Sequence, residues 1–131
     1  MTFTPEEVAY IGAQRLARVA TTAPDGQPDV VPVGFEFDGT AFWIGGFDPD
    51  KTRRTRNIQA GQDKVALVID DALEASGWAP RYLRVYGTAE LVPRDGQLVM
   101  KVTPVVSWSF NLDGRPLNEI TGQRAARKTV H

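Results

Sequence analysis

Apolar and polar residues alternate along most of this chain, and a period of two is the pattern of strands that are buried on one face. The pattern is clearest over residues 82–92, where the odd positions are apolar or small and most even positions carry a polar group. Residues 65–69 form a short continuous apolar run, which predicts a more fully buried strand. The sequence predicts six strands, at 15–22, 28–37, 40–46, 64–70, 82–92 and 98–110.

Glycine and proline mark where these strands reverse. Asp38-Gly39 is the strongest hairpin signal, and the Asp-Gly pairs at 25–26 and 95–96 each lie just after a proline. Connections this short join antiparallel neighbours. The sequence therefore predicts a mainly β fold with short helices, in which six strands form a closed or nearly closed antiparallel barrel. A barrel of this size is filled by its own side chains, so a sizeable ligand is expected outside it or between subunits.

Two short helices are predicted at the ends of strands. Thr4-Pro5-Glu6-Glu7 combines an N-cap, a proline at the first helical position and a capping-box glutamate. The second helix is predicted over residues 52–60 and ends before Gly61.

The second helix opens with a basic cluster, residues 51–56, which follows a strand ending in Gly45-Gly46. A glycine-rich bend that leads into a helix exposes backbone N–H groups, and arginine adds paired donors that match a phosphate. The cluster therefore indicates an anion site. A solvated helix face explains the same residues, and the sequence leaves both interpretations open.

Pro32 and Gly34 interrupt the strand predicted at 28–37. Proline cannot donate to a strand ladder and glycine has no side chain to pack, so the pair indicates a bulge, an edge or the close approach of a flat ligand. A simple kink at a barrel corner stays open as the alternative.

Composition narrows the possible functions. The 131 residues fit one domain over 1–131, and the net charge of −1 argues against a nucleic-acid partner. The chain has no cysteine and its only histidine is His131, so neither a metal site nor histidine or cysteine catalysis is expected. Without a long apolar run or a secretion signal, we expect no membrane association and a cytoplasmic location. The polar end, residues 111–131, is expected to be flexible or to pack on a partner subunit.

A series of motifs, taken in order, resembles the pyridoxamine 5′-phosphate oxidase-like split-barrel proteins. They are Thr-Pro-Glu-Glu-Val from residue 4, Arg-Leu-Ala-Arg-Val-Ala-Thr-Thr from 15, Pro-Asp-Gly-Gln-Pro-Asp-Val-Val-Pro-Val-Gly-Phe from 24, Thr-Arg-Asn-Ile from 55, Lys-Val-Ala-Leu-Val-Ile-Asp-Asp from 64, Arg-Val-Tyr-Gly-Thr-Ala-Glu from 84 and Val-Ser-Trp-Ser from 106. Within that family the chain is most similar to the actinobacterial branch that uses the deazaflavin coenzyme F420.

The resemblance implies a homodimer with cofactor sites at the subunit interface, F420 as the cofactor with FMN as the alternative, and hydride transfer to or from a small organic substrate. The implied site residues are Lys51, Thr52, Arg53 and Arg54 at the cofactor phosphate, Val31, Pro32, Val33, Gly34, Gly45 and Gly46 along the flat ring, and Trp78 and Trp108 from the other subunit. No catalytic residue is assigned.

The resemblance also limits the activity. The true pyridoxamine phosphate oxidases handle their substrate with a C-terminal extension that carries arginine and histidine, and this sequence lacks it, so vitamin B6 synthesis is not expected. A non-enzymatic module that binds a flavin or haem on the same fold is the alternative to an oxidoreductase.

Overall fold

The computed structural model describes residues 2–46, 48–74, 77–120 and 126–131. Its helices are α1 (Pro5–Ala13) and α2 (Arg53–Gln59), with 3₁₀ turns at Pro49–Lys51 and Leu117–Glu119. Its strands are β1 (Leu16–Thr22), β2 (Pro28–Gly34), β3 (Glu36–Phe37), β4 (Phe42–Ile44), β5 (Lys64–Leu73), β6 (Ala79–Arg94), β7 (Gln97–Phe110) and β8 (Arg127–Val130).

The strands form one curled antiparallel sheet in the order β2-β1-β5-β6-β7-β4-β3, and β8 pairs with β7 outside this path. The sheet curls into the half-barrel of a split-barrel fold, so the prediction of a mainly β, antiparallel fold with short helices is confirmed. The long β6–β7 hairpin lies in the middle of the sheet. It therefore connects the β5-β1-β2 side with the β4-β3 side.

The structure differs from the prediction in the number of strands. The segment predicted as one strand over 28–37 is divided at Phe35, because β2 pairs with β1 whereas β3 pairs with β4 on the other side of the sheet. The end of the chain supplies a further strand, since β8 pairs with β7 from Val106 to Ser109. Within the tail expected to be flexible or to pack on a partner, residues 127–130 thus form a strand of their own chain's sheet. Packing of residues 111–131 on a partner subunit stays a prediction.

Alternate residues of the strands form the core. In β1, Ala17, Val19 and Thr21 are buried while the residues between them are exposed or half-buried, as the alternation predicts. Most of the largest fully buried apolar side chains come from β4, β5, β6 and β7: Phe42, Ile44, Leu67, Ile69, Leu83, Met100, Val85 and Val102. Helix α1 has its predicted capping box between Thr4 and Glu7, and it covers one end of this core with Tyr10 and Ile11.

Strands β6 and β7 approach unusually closely at Gly87. The register shifts there, because Tyr86 pairs with Val106 while Gly87 pairs with Pro104, so Val105 is an extra residue in β7. A β-carbon at Gly87 would lie 2.7 Å from the carbonyl oxygen of Thr103. The bulge therefore requires glycine at this position.

We expect Gly87→Ala to lower the free energy of unfolding by about 1–3 kcal/mol, since backbone must move to make room for the methyl group. Gly12→Ala is the matched control, because nothing lies within 4 Å of a β-carbon at Gly12 in helix α1. Alanine there should stabilise the protein by about 0.5–1 kcal/mol. Urea unfolding of both variants measures the difference, and equal effects would contradict the close approach.

A polar cluster joins α1 to the sheet. Arg81 on β6 donates to both carboxylate oxygens of Asp71 on β5, at 2.8 and 2.6 Å, and Tyr10 Oη donates to the same carboxylate at 2.9 Å. The hydrogen bonds from Arg81 hold the pKa of Asp71 below its ordinary value, and burial raises the pKa of the Tyr10 hydroxyl. The ionised Asp71 carboxylate therefore connects three elements.

The pKa of Asp71 is lower in the folded than in the unfolded chain. Its charge therefore stabilises the fold at any pH above the ordinary carboxyl pKa of about 4. This stabilisation is lost as the pH falls through the pKa that Asp71 has in the folded protein. We expect Asp71→Asn to lower the unfolding free energy at neutral pH by about 1.5–3 kcal/mol and to flatten its acid dependence. Urea unfolding at a series of pH values measures both effects.

The neighbouring Asp70 provides the control for this prediction. Its carboxylate pairs with Arg18 at 3.3 Å, with 41% and 43% of the Arg18 and Asp70 side chains exposed. Asp70→Asn should therefore change stability by at most about 1 kcal/mol. An equal loss in the two variants would show that Asp71 has no special role.

Candidate functional site

A cleft of about 510 Å³ opens where the strand ends of one side meet the β6–β7 hairpin. Its lining residues come from β2, β3, β4 and the hairpin: Gly34, Phe35, Glu36, Trp43, Gly45, Gly46, Arg94, Asp95, Gln97 and Val99. The volume lies within the range of small-molecule sites, roughly 300–1,000 Å³. The structure thus brings together three of the predicted ring-contact residues, Gly34, Gly45 and Gly46.

The predicted basic segment begins with the 3₁₀ turn at Pro49–Lys51 and continues as α2. Thr52 is the N-cap of α2, and its hydroxyl accepts from the Thr55 backbone N–H and donates to the Pro49 carbonyl at 3.0 Å. The hydroxyl of Thr52 therefore serves the local fold. Lys51 and Arg53 are exposed, so their cationic groups are available to an anion.

Arg54 is arranged differently from its neighbour Arg53. Its side chain is 8% exposed, and its Nη2 donates to the Gly45 carbonyl at 2.8 Å. Burial lowers the pKa of Arg54, but an arginine stays protonated at any physiological pH. Gly46 follows with φ +93°, and a β-carbon there would lie 3.4 Å from the guanidinium. Arg54 thus fixes the glycine turn that forms one edge of the cleft.

The other residues predicted along the ring lie on β2, the edge strand beside β1. Val33 is buried in the core and Val31 packs against it, whereas Pro32 and Gly34 are exposed on the opposite face. Only the end of this segment, at Gly34, reaches the cleft.

Trp78 and Trp108 lie elsewhere on the chain. The Trp78 side chain is 59% exposed just before β6. Trp108 on β7 lies under the Arg84 guanidinium, 4.1 Å from its carbon, and meets Tyr86 edge to face at 4.9 Å. Neither tryptophan lines the cleft of this chain.

Sequence reasoning missed the aromatic wall of the cleft. The Trp43 Nε1 donates to Asp38 at 2.7 Å, and this hydrogen bond holds the pKa of Asp38 below its ordinary value, together with those from Ala41 and Thr40. The Arg94 guanidinium carbon lies over the same indole, 4.4 Å from the ring centre. The Asp-Gly signal had identified only the turn. What it could not show was that the aspartate side chain orients a tryptophan five residues later.

A hydrogen bond also connects the basic segment to the far wall of the cleft. Asp50 accepts from the Leu98 backbone N–H of β7 at 2.8 Å. The loop that carries Lys51 is therefore held against the β6–β7 hairpin, so the basic segment lies next to the cleft.

The curled antiparallel sheet and the glycine-lined cleft beside a basic segment define a split-barrel protein. The chain belongs to the pyridoxamine 5′-phosphate oxidase family, whose model matches residues 3–126. The resemblance found in the sequence is thus confirmed. No helix among the described residues has the length and apolar character needed to span a membrane.

Individual proteins similar to this chain indicate which members of the family it resembles. The chain is 33% identical over 144 residues to a 5a,11a-dehydrotetracycline/5a,11a-dehydrooxytetracycline reductase of Streptomyces rimosus, covering 98% of this chain and 100% of the relative. It superposes on a conserved hypothetical protein of Mycobacterium tuberculosis with a TM-score of 0.71 at 16% identity, over 94% and 95% of the two chains. An F420 reductase matches with a TM-score of 0.55 at 25% identity, over 70% of this chain and 86% of that protein. The chain is therefore a homologue of reductases.

Proposed function

We propose that this protein is an F420-dependent oxidoreductase that transfers a hydride between F420 and a small organic substrate. The observation that carries the proposal is the attachment of the basic segment to the cleft: Arg54 donates to the Gly45 carbonyl and Asp50 accepts from the Leu98 N–H, while Lys51 and Arg53 stay exposed. Homology to a reductase and the likeness to an F420 reductase support the same class of reaction.

The residues present fit a phosphorylated tricyclic cofactor. Lys51 and Arg53 are exposed and supply cationic donors for a phosphate. Missing side chains at Gly45 and Gly46 allow a flat ring to approach the backbone, while Arg54 holds that turn in place. We propose that the ring lies along the Gly34 end of β2 and along this turn.

Hydride chemistry of this kind is supplied by the deazaflavin when it is bound, and the protein's part is to bind, orient and exclude water. That division of roles suits a chain without cysteine, whose only histidine is His131. Ser107 Oγ lies 2.8 Å from Nε2 of that histidine, and Ser107 is fully buried outside the cleft. We therefore assign neither residue to the reaction.

We further propose a homodimer in which Trp78 and Trp108 of one subunit face the cofactor of the other. The outer surface of β1, β5, β6 and β7 supports it, because a second groove of about 650 Å³ lies there with Tyr86 and Val105 46% and 48% exposed. Exposed apolar groups grouped on one face are typical of an interface. Sedimentation velocity of the purified protein measures whether it is a dimer in solution.

The first experiment is a fluorescence titration of the purified protein with F420 and, separately, with FMN. We expect F420 to bind more tightly, and the protein to catalyse oxidation of reduced F420 by an organic acceptor. Preference for FMN would assign the protein to a flavin-dependent class instead. Tight F420 binding without turnover of any acceptor would indicate a binding module, and binding of neither would reject the proposal.

The two adjacent arginines provide a sharper test. We expect Arg53→Ala to weaken F420 binding by about 1.5–3 kcal/mol, the range for charge-assisted hydrogen bonds, and to change stability by no more than about 0.5 kcal/mol. Arg54→Ala should weaken binding and also lower the unfolding free energy, because it leaves the Gly45 carbonyl without its donor. The same titration and urea unfolding measure both. Unchanged F420 affinity in Arg53→Ala would contradict the phosphate assignment.

A further inference from the structure

Strand β7 extends past the end of β4, its neighbour on one side. The two strands pair as far as Ile44 and Met100, and the same register would place Gly46 opposite Leu98. The chain instead turns away at Gly46, where φ is +93°. Among the strands that the structure describes, none pairs with Leu98 on this side.

The Leu98 N–H points into the space that β4 leaves open. The hairpin turn, Asp95-Gly96, has positive φ at both residues, so it is a two-residue turn beside a hydrogen-bonded pair, Arg94 and Gln97. Bonded and non-bonded pairs alternate along an antiparallel ladder, and the next residue, Leu98, therefore directs its N–H away from β6. The Asp50 carboxylate accepts this N–H at 2.8 Å, in the place of a strand carbonyl.

We propose that Asp50 is a positioning residue, whose carboxylate fixes the tip of the β6–β7 hairpin against the basic segment and so sets the shape of the cleft around a bound cofactor. The tip contributes Arg94, Asp95 and Gln97 to the lining of the cleft, whereas Asp50 acts on the cleft through the Leu98 backbone. This inference rests on the proposed function, because it assigns a role within the same site.

Asp50 can transmit position because it is carried by a fixed turn. Pro49 before it is buried, and the Pro49 carbonyl accepts from the hydroxyls of Thr52 and Thr55, at 3.0 and 2.6 Å. The Lys51 N–H donates to the carbonyl three residues before it, at 3.0 Å. The backbone on both sides of the carboxylate is therefore held, and the hydrogen bond to β7 ties the hairpin to the basic segment.

The hairpin tip has a second attachment, which does not involve Asp50. The Arg94 guanidinium carbon lies 4.4 Å from the centre of the Trp43 ring on β4. Strands β6 and β7 also remain paired up to the turn. Loss of the Asp50 hydrogen bond should therefore leave the hairpin folded but free to shift at Leu98.

A role of Asp50 through its charge alone predicts a different result. Its carboxylate is exposed next to Lys51, so it disfavours a phosphate there. If charge were its only effect, removal of the carboxylate would strengthen binding of the anion and leave the ring of the cofactor as it was. Removal of a positioning residue should instead expose the ring to water without a large loss of affinity.

Hydrogen exchange of the Leu98 amide, followed by NMR in the protein without ligand, tests the attachment. We expect Asp50→Ala to speed this exchange by about tenfold or more, the effect of losing one charge-assisted hydrogen bond. Asp50→Asn keeps an oxygen acceptor and should restore most of the protection. Asp48→Asn is the matched control and should leave the exchange unchanged, because it removes an exposed carboxylate two residues away that makes no capping hydrogen bond.

Quenching of bound F420 fluorescence by acrylamide tests the effect on the cofactor. Acrylamide is neutral, so its access to the ring reports exposure rather than charge. We expect Asp50→Ala to bind F420 within about fivefold of the wild-type affinity, the range for one exposed charge, and to raise the quenching constant. Asp50→Asn and Asp48→Asn should be quenched as the wild-type protein is. Urea unfolding confirms that each variant is folded.

The outcomes distinguish this inference from the proposed function. Unchanged Leu98 exchange in Asp50→Ala, or faster exchange with unchanged quenching, overturns the inference even where F420 binds and turns over. Equal effects in Asp48→Asn also overturn it, because they would show a role of charge alone. A wild-type protein that binds no F420 rejects the proposed function and the cofactor's part of the inference, while the exchange of the Leu98 amide still decides whether Asp50 holds the hairpin.

Discussion

The close approach of two backbones at Gly87 is the constraint on which the sheet depends. Strands β6 and β7 remain paired from Tyr82–Phe110 to Arg94–Gln97 although β7 contains one extra residue, Val105. That continuity is possible because no side chain separates Gly87 from the Thr103 carbonyl. Bulges increase local twist and bend a strand. The two longest strands can therefore join both sides of a curled sheet, and they carry their hairpin tip to the end of β4.

The cleft follows from that arrangement. The β6–β7 tip forms one wall, the end of β4 forms the other, and two side chains of the intervening segment hold them together. Arg54 binds the Gly45 carbonyl beneath the turn, and Asp50 binds the Leu98 N–H at the hairpin. These residues are four positions apart in the sequence and bind different sides of the cleft. A short helix and a single 3₁₀ turn thus position a cationic segment beside an open, side-chain-poor surface.

Much of this fold could be predicted because its signals are local. The capping box at Thr4, the alternation in β1 and the Asp-Gly turns each depend on a few neighbouring residues. The break at Phe35 and the pairing of β8 were not predictable in that way, since both depend on which distant strand offers free hydrogen-bonding groups. The site shows the same division. Glycines and basic residues indicated its location in the sequence. The contact between Trp43 and Arg94 joins β4 to β6, which are far apart in the sequence, so the hydrophobic periodicity could not predict it.

Three arginines of this site show why residue type alone does not assign a role. Arg53 is exposed, Arg54 is buried against a carbonyl, and Arg94 lies over an indole. All three carry the same charge and the same donors, yet burial commits Arg54 to a backbone carbonyl, whereas Arg94 contacts an aromatic ring and Arg53 faces solvent. Equal charge therefore does not make these side chains equivalent, because the elements around each one decide whether its donors are already used by the protein.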